Sequence, residues 1–220
     1  MAVLTHGERL QTMDTFISHW NAVNLALAPG ELALNGPYTL ACGFVPHRAA
    51  VSDSMEEVVE RENLWSVARS DRDRLRGRIS ARFSQFRAAV TALLPGSTYL
   101  VSIPKKPYPA SSAGEWSDAC TRVASLWALI DANTPPVAGF VPPLTLAGGY
   151  ARAQFVADAD ELRDAYETVR ERAMDLRMAR ALREEIYAAP KARMVHYRLA
   201  VLGSFAAGNE LVLTLPSVTP

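Results

Sequence analysis

Leu144-Thr-Leu-Ala-Gly-Gly-Tyr150, with Phe155 five residues on, has a near twin in Leu32-Ala-Leu-Asn-Gly-Pro-Tyr38, with Phe44 six residues on. The shared pattern is L-x-L-x-G-x-Y and then an aromatic. Further blocks match in the same order. Thr5, Glu8 and Trp20 match Ser112, Glu115 and Trp127 at an offset of 107. The loop residues Leu32, Leu34, Gly36 and Tyr38 match Leu144, Leu146, Gly148 and Tyr150 at 112. Phe44, Ala68, Arg69 and Arg72 match Phe155, Ala179, Arg180 and Arg183 at 111, and Phe86-Arg87 matches Tyr197-Arg198 at the same distance. The offset changes only where turn residues mark loops, which tolerate insertions. The chain therefore reads as one unit written twice, with copy one over 1–104, a Pro-rich connector over 105–111 and copy two over 112–220.

Each copy opens on a capping-box signature, Thr5-x-x-Glu8 and Ser112-x-x-Glu115, which starts a helix. Apolar residues then recur by threes and fours: Leu10, Met13, Ile17, Trp20, Val23 and Leu27, and again Trp116, Cys120, Val123, Trp127 and Ile130. Pro29-Gly30 and Thr134-Pro-Pro end these helices. The L-x-L-x-G-x-Y loop follows, with Gly36 and Gly148 supplying a backbone angle other residues resist. Tyr38 and Tyr150 are placed to pack at the start of the next helix. From Phe44 a heptad row runs through Val51, Val58, Trp65, Arg72, Ile79, Phe86 and Leu93; from Phe155 its counterpart runs through Leu162, Val169, Leu176, Arg183, Pro190 and Tyr197. A sustained heptad predicts long helices packed lengthwise in coiled-coil fashion. Pro190 predicts a kink or break there, and Gly77 a weaker one. Tyr99–Ile103 and Leu211–Leu215 read as short extended tails, free to pair as strands or to lie along the bundle.

The expected fold is all-α: two tandem copies of a helix, a loop and a long kinked helix, forming an elongated bundle with pseudo-two-fold symmetry. Acidic residues gather early in each long helix and arginines late, so two such helices laid antiparallel bring opposite charges together.

Composition narrows the function by exclusion. Lys+Arg and Asp+Glu both number 23, which gives no bulk field to attract nucleic acid. The longest uncharged run, 132–151, carries four prolines and three glycines and cannot be a membrane-spanning helix. Cys42 and Cys120 do not occupy matching positions, so no disulfide framework is expected. The N-terminus has neither a basic nor an apolar leader region, so the cytoplasm is the default compartment, with non-classical export open.

The four histidines His6, His19, His47 and His196 form no HExxH or ExxH pair, and no phosphate-loop or nucleophile-elbow motif occurs. No cofactor or metal is expected. Arg72 and Arg183, with Arg69 and Arg180 nearby in A-R-x-x-R-[DE], are the candidate contacts for an anion or a partner carboxylate. Asp73 and Glu184, being next in sequence, lie on another helix face, so a partner from another helix is expected. Gly36, Tyr38, Gly148 and Tyr150 are read as a repeated structural joint, and Trp20, Trp127, Phe86 and Tyr197 as core anchors. The leading expectation is a non-catalytic structural or protein–protein interaction protein, self-assembling as a homo-oligomer or filament. The alternative is a helical module that binds a small ligand or peptide in a groove between the copies. An enzyme is the third reading.

Overall fold

A computed structural model describes residues 5–218. The N-terminal leader reading, so far as it rests on residues 1–4, and the last two residues of the second tail lie outside these. The described residues are mostly helical and contain no strand; Leu34 with Tyr38, and Leu146 with Tyr150, form single antiparallel bridges. Helix α1 spans His6–Leu27, α2 Val45–Leu93, α3 Ala113–Asp131, α4 Arg152–Ser204 and α5 Glu210–Leu213. A π-helical turn, Leu40–Phe44, leads into α2.

Both short helices begin as their sequences require. The Thr5 hydroxyl accepts from Glu8 N, and the Glu8 carboxylate accepts from Thr5 N at 2.6 Å. Ser112 and Glu115 do the same, with the return bond at 2.7 Å. Of the kink or break expected at Pro190, the break does not occur. Helix α4 runs through it without interruption. One missing N–H leaves a single gap in the ladder, and the flanking turns continue the helix. The tails are not extended either: Leu100–Ser102 is a 3₁₀ turn, and Glu210–Leu213 is the short helix α5. Asn209 explains the second case, since its side chain accepts from Leu211 N and caps the turn.

Two compact units cut across the two sequence copies. The first takes Met1–Asn63 and Met174–Pro220; the second takes Leu64–Ala173. Each therefore holds one short helix, part of α2 and part of α4.

In the first unit, Trp20 is fully buried, with Tyr197 at 4.6 Å and Phe44 at 5.8 Å between ring centroids. Its indole N–H donates to Leu32 O at 3.2 Å, and Asn24 Oδ1 accepts from Leu32 N at 2.9 Å. These bonds hold the loop against α1. Arg180 of α4 reaches Glu62 of α2 at 3.3 Å.

In the second unit, Trp127 is fully buried, with Phe86 at 5.1 Å and Phe155 at 6.0 Å. Its N–H donates to Leu144 O at 3.0 Å, and Asp131 Oδ1 accepts from Leu144 N at 2.9 Å. Here α2 and α4 run in opposite senses: Arg72 lies near Tyr166, Arg78 near Glu161 and Asp158, and Phe83 near Phe155. The heptad row ends differently from its reading. Leu94 is fully buried and Leu93 is half exposed. A straight α-helix drifts about 20° per heptad against a strict seven-residue repeat, which moves the seam by one residue.

Candidate functional site

Trp20, Trp127, Phe86 and Tyr197 are all buried. The joints carry more than packing. Gly36 and Gly148 adopt φ of 88° and 78°, the left-handed region that glycine enters without cost. The Tyr38 hydroxyl is hydrogen-bonded to His47 Nδ1 at 2.7 Å, and the Tyr150 hydroxyl donates to Asp158 at 2.7 Å. Arginine guanidinium groups cover both rings, Arg193 over Tyr38 at 4.6 Å and Arg82 over Tyr150 at 3.9 Å. Burial pushes the Tyr38 hydroxyl up to about 12, so it stays protonated at neutral pH.

The four candidate arginines divide between the units. In the second unit, Arg69 stacks on Trp65 at 4.7 Å, and Arg72 bonds Asp73 at 2.7 Å. In the first, Arg180 pairs with Glu62, and the buried Arg183 bonds Glu184 at 2.9 Å. The expectation that Asp73 and Glu184 lie beyond reach on another helix face is thus corrected, while Arg72 also stands over Tyr166 of α4 at 5.7 Å. A long arginine stem can bend sideways along its own helix, and the next residue's carboxylate meets the guanidinium there. Glu184 also receives Arg9 from α1 at 2.9 Å. Burial raises the Glu184 carboxyl, but hydrogen bonds from Arg183 and Arg9 more than offset it and hold the group below its ordinary range.

One of several open concavities in the second unit has a volume of about 430 Å³. One wall is a single face of α2: Asp73, Arg76, Gly77 and Ser80 are spaced three and four apart. The connector supplies the other wall through Lys106, Pro107 and Pro109, and Trp116 of α3 closes the base. Asp73 accepts from Arg76 at 3.2 Å as well as from Arg72. The Arg76 guanidinium stands over Trp116, 5.7 Å from the ring centroid. Behind this surface, Arg76 Nε, Trp116 Nε1 and the hydroxyl of Tyr166, which lies against Arg76, are buried away from the cleft.

The first unit treats the corresponding positions differently. Residue 116 aligns with Arg9, 107 earlier, while residues 73, 76 and 77 align with Glu184, Tyr187 and Ala188, 111 later. Ring and cation have changed helices: Arg9 of α1 stands over Tyr187 of α4 at 4.6 Å. The same Arg9 is bonded to Glu184. That cluster is satisfied internally.

Sequence reading passed over Arg76, Lys106 and the Trp116 N–H. Gly77 was the available signal, a glycine inside a long helix that nothing in its sequence context explains. Among the described residues, no group of three or more His, Cys, Asp or Glu side chains could hold a metal ion, and no helix is long and apolar enough to cross a membrane.

Comparison with family models, with curated proteins and with solved structures returned no match.

Proposed function

We propose that this chain is a non-catalytic binding protein, one helical unit written twice with the pseudo-two-fold relation expected of such copies, in which the second unit carries a ligand cleft. The observation that carries this reading is the open cleft of about 430 Å³ that Arg76, Gly77, Lys106 and Trp116 line in the second unit. Duplication is supported by the paired capping boxes, the two Trp-to-loop bonds and the two Tyr hydroxyl bonds. No nucleophile–base pair stands at the cleft, so binding is the simpler role for it. Balanced charge keeps nucleic acid outside the proposal, and a cytoplasmic setting with protein partners stays within it. A thermal-shift screen of small fragments tests the reading. At least one fragment is expected to raise the melting temperature of the wild type and to lose its effect in Arg76→Ala. A library that stabilises nothing would sink it.

A second reading, self-association into an oligomer or filament, is favoured by one feature of α4. Met174, Met178 and Leu182 are 57%, 65% and 53% exposed and lie four apart, on one helix face. An exposed apolar row of this kind is a common interface signature. Light scattering on a concentration series is expected to show a mass above that of one chain, reverting to a monomer in Met178→Glu. A wild type that stays monomeric at high micromolar concentration would discard this reading.

A further inference from the structure

We infer that the outward face of α4 over residues 174–202 docks antiparallel on the same face of a second molecule of this chain; this rests on the self-association reading above and gives it a partner, a direction and a register. The face is a second heptad seam. From Met174, positions 178, 181, 185, 188, 192, 195, 199 and 202 follow at alternate steps of four and three, and all of them are exposed. All are apolar except Glu185. The seam stands roughly 200° round the helix from the buried row at 176, 183, 190 and 197, at about 100° per residue. Alternate steps of four and three are the spacing by which helices pack lengthwise on one another.

The duplication supplies an internal control. The aligned positions of α2, 111 residues earlier, are exposed as well. Yet where α4 presents Val195, Leu199 and Leu202, α2 presents Ser84, Ala88 and Thr91. The fold itself therefore does not call for an apolar outward face. Its presence on α4 marks a surface that is covered.

Side-chain size and the single charge identify what covers it. Met174 and Met178 stand at one end of the seam and Leu199 and Leu202 at the other, with alanines at 181, 188 and 192. Reversing one molecule turns steps of four and three into three and four, so the seam can pair with itself about a two-fold axis. Met174 then meets the partner's Leu199, Met178 the partner's Val195, and Ala181 the partner's Ala192. Bulky side chains meet bulky ones and small meet small. Each pair occurs twice, as an isologous contact requires. Glu185 meets the partner's Ala188, which leaves its carboxylate room to reach water. On the flank, Glu184 falls beside the partner's Lys191, again twice. Arg177 falls beside the partner's Arg198, but in each molecule Arg198 is held by the carbonyls of Leu215 and Pro216. A parallel pair in register would instead set Glu185 against Glu185 inside the seam, a like-charge contact that opposes association.

The test is cysteine cross-linking of the full-length protein on a Cys42→Ser background, with light scattering on the same samples. Cys120 is buried and takes no part. All substituted positions are exposed, so the variants keep the fold. Met178→Cys/Val195→Cys is expected to give, on mild oxidation, a band at twice the chain mass that reduction removes. Met178→Cys alone is expected to give none, because in the antiparallel pair its twin lies about 25 Å away along the helix. Met178→Cys/Leu202→Cys fits a register one heptad off, about 10 Å, and is also expected to give none. Light scattering is expected to level at two chains, since an isologous contact uses up the face of both molecules. Cross-linking by Met178→Cys alone as fast as by the first double variant would overturn the antiparallel direction. The same result from Met178→Cys/Leu202→Cys would overturn the register. Two chains by light scattering without a cross-link in Met178→Cys/Val195→Cys would sink the inference and leave self-association standing. A monomer at every concentration would sink both.

Discussion

His19 shows what one residue does in this protein. Its Nε2 lies 2.9 Å from Leu211 O and its Nδ1 2.6 Å from the Tyr197 hydroxyl. A carbonyl oxygen can only accept, so Nε2 carries the proton and Nδ1 accepts from Tyr197. The neutral imidazole thus ties α5 to α1 and α4 within the first unit. Burial depresses the His19 pKa, with the bond to Leu211 O opposing the shift in part. The sign for stability follows directly. A histidine depressed in the fold binds protons less readily than in the unfolded chain, where its value is about 6.5. Stability is therefore full above that value and declines as pH falls below it. Protonation would also convert Nδ1 to a donor and leave the buried Tyr197 O–H without its acceptor. We expect the melting temperature to fall between about pH 7 and pH 5.5, and the fall to shrink in His19→Gln. Thermal melts followed by circular dichroism at both pH values check this; equal pH slopes in the two proteins would remove His19 from the account.

At the scale of the element, the legible features were those written in local chemistry. Thr5-x-x-Glu8 and Ser112-x-x-Glu115 specify helix starts because both halves of each box lie within one turn. The spacing of Met13, Trp20 and Val23, or of Trp116, Val123 and Trp127, marks a buried face because the period is a property of the helix alone. Three things escaped. Leu93 stands in the heptad row, yet Leu94 is buried in its place, since the true period drifts away from seven. The helix passes through Pro190 because proline removes one hydrogen bond, while Met194, Tyr197 and Val201 beyond it are fully buried and hold the following turns to the core. The tail at 210–213 became helical because Asn209 caps it, a one-residue signal ahead of the Leu211-Val-Leu-Thr-Leu215 run that reads as extended. The candidate site was less legible than the fold. Arg72 pointed to its edge, but Trp116, Arg76 and Lys106 come from α3, α2 and the connector. Only the folded chain brings those together.

For the molecule as a whole, the decisive fact is that neither compact unit coincides with a copy of the sequence: the first joins two separate stretches, and the second, Leu64–Ala173, straddles both copies. The second unit needs residues 64–93 of α2 to bury Trp127 against Phe86 and Trp116 against Phe83. Those residues belong to copy one of the sequence. Copy two alone, residues 112–220, therefore carries Trp127, Phe155 and Tyr150 but lacks Phe83, Phe86 and Val90, which the second core requires. It carries Met194, Tyr197 and Val201 of the first core but lacks Trp20 and Phe44. Removing one large aromatic from a core costs about 3–5 kcal/mol, and here each core loses several. Typical domain stability is about 5–15 kcal/mol, so a monomer of this fragment has no folded state to occupy. We expect residues 112–220 to give no cooperative thermal transition as a monomer, with near-UV circular dichroism flat at the tryptophan bands. Co-expression with residues 1–104 is expected to restore both, because the two fragments together contain the residues of both cores. A monomeric 112–220 fragment that melts cooperatively with native-like near-UV signal would show that a copy folds by itself, and that the exchange of helix segments between units contributes nothing essential to stability.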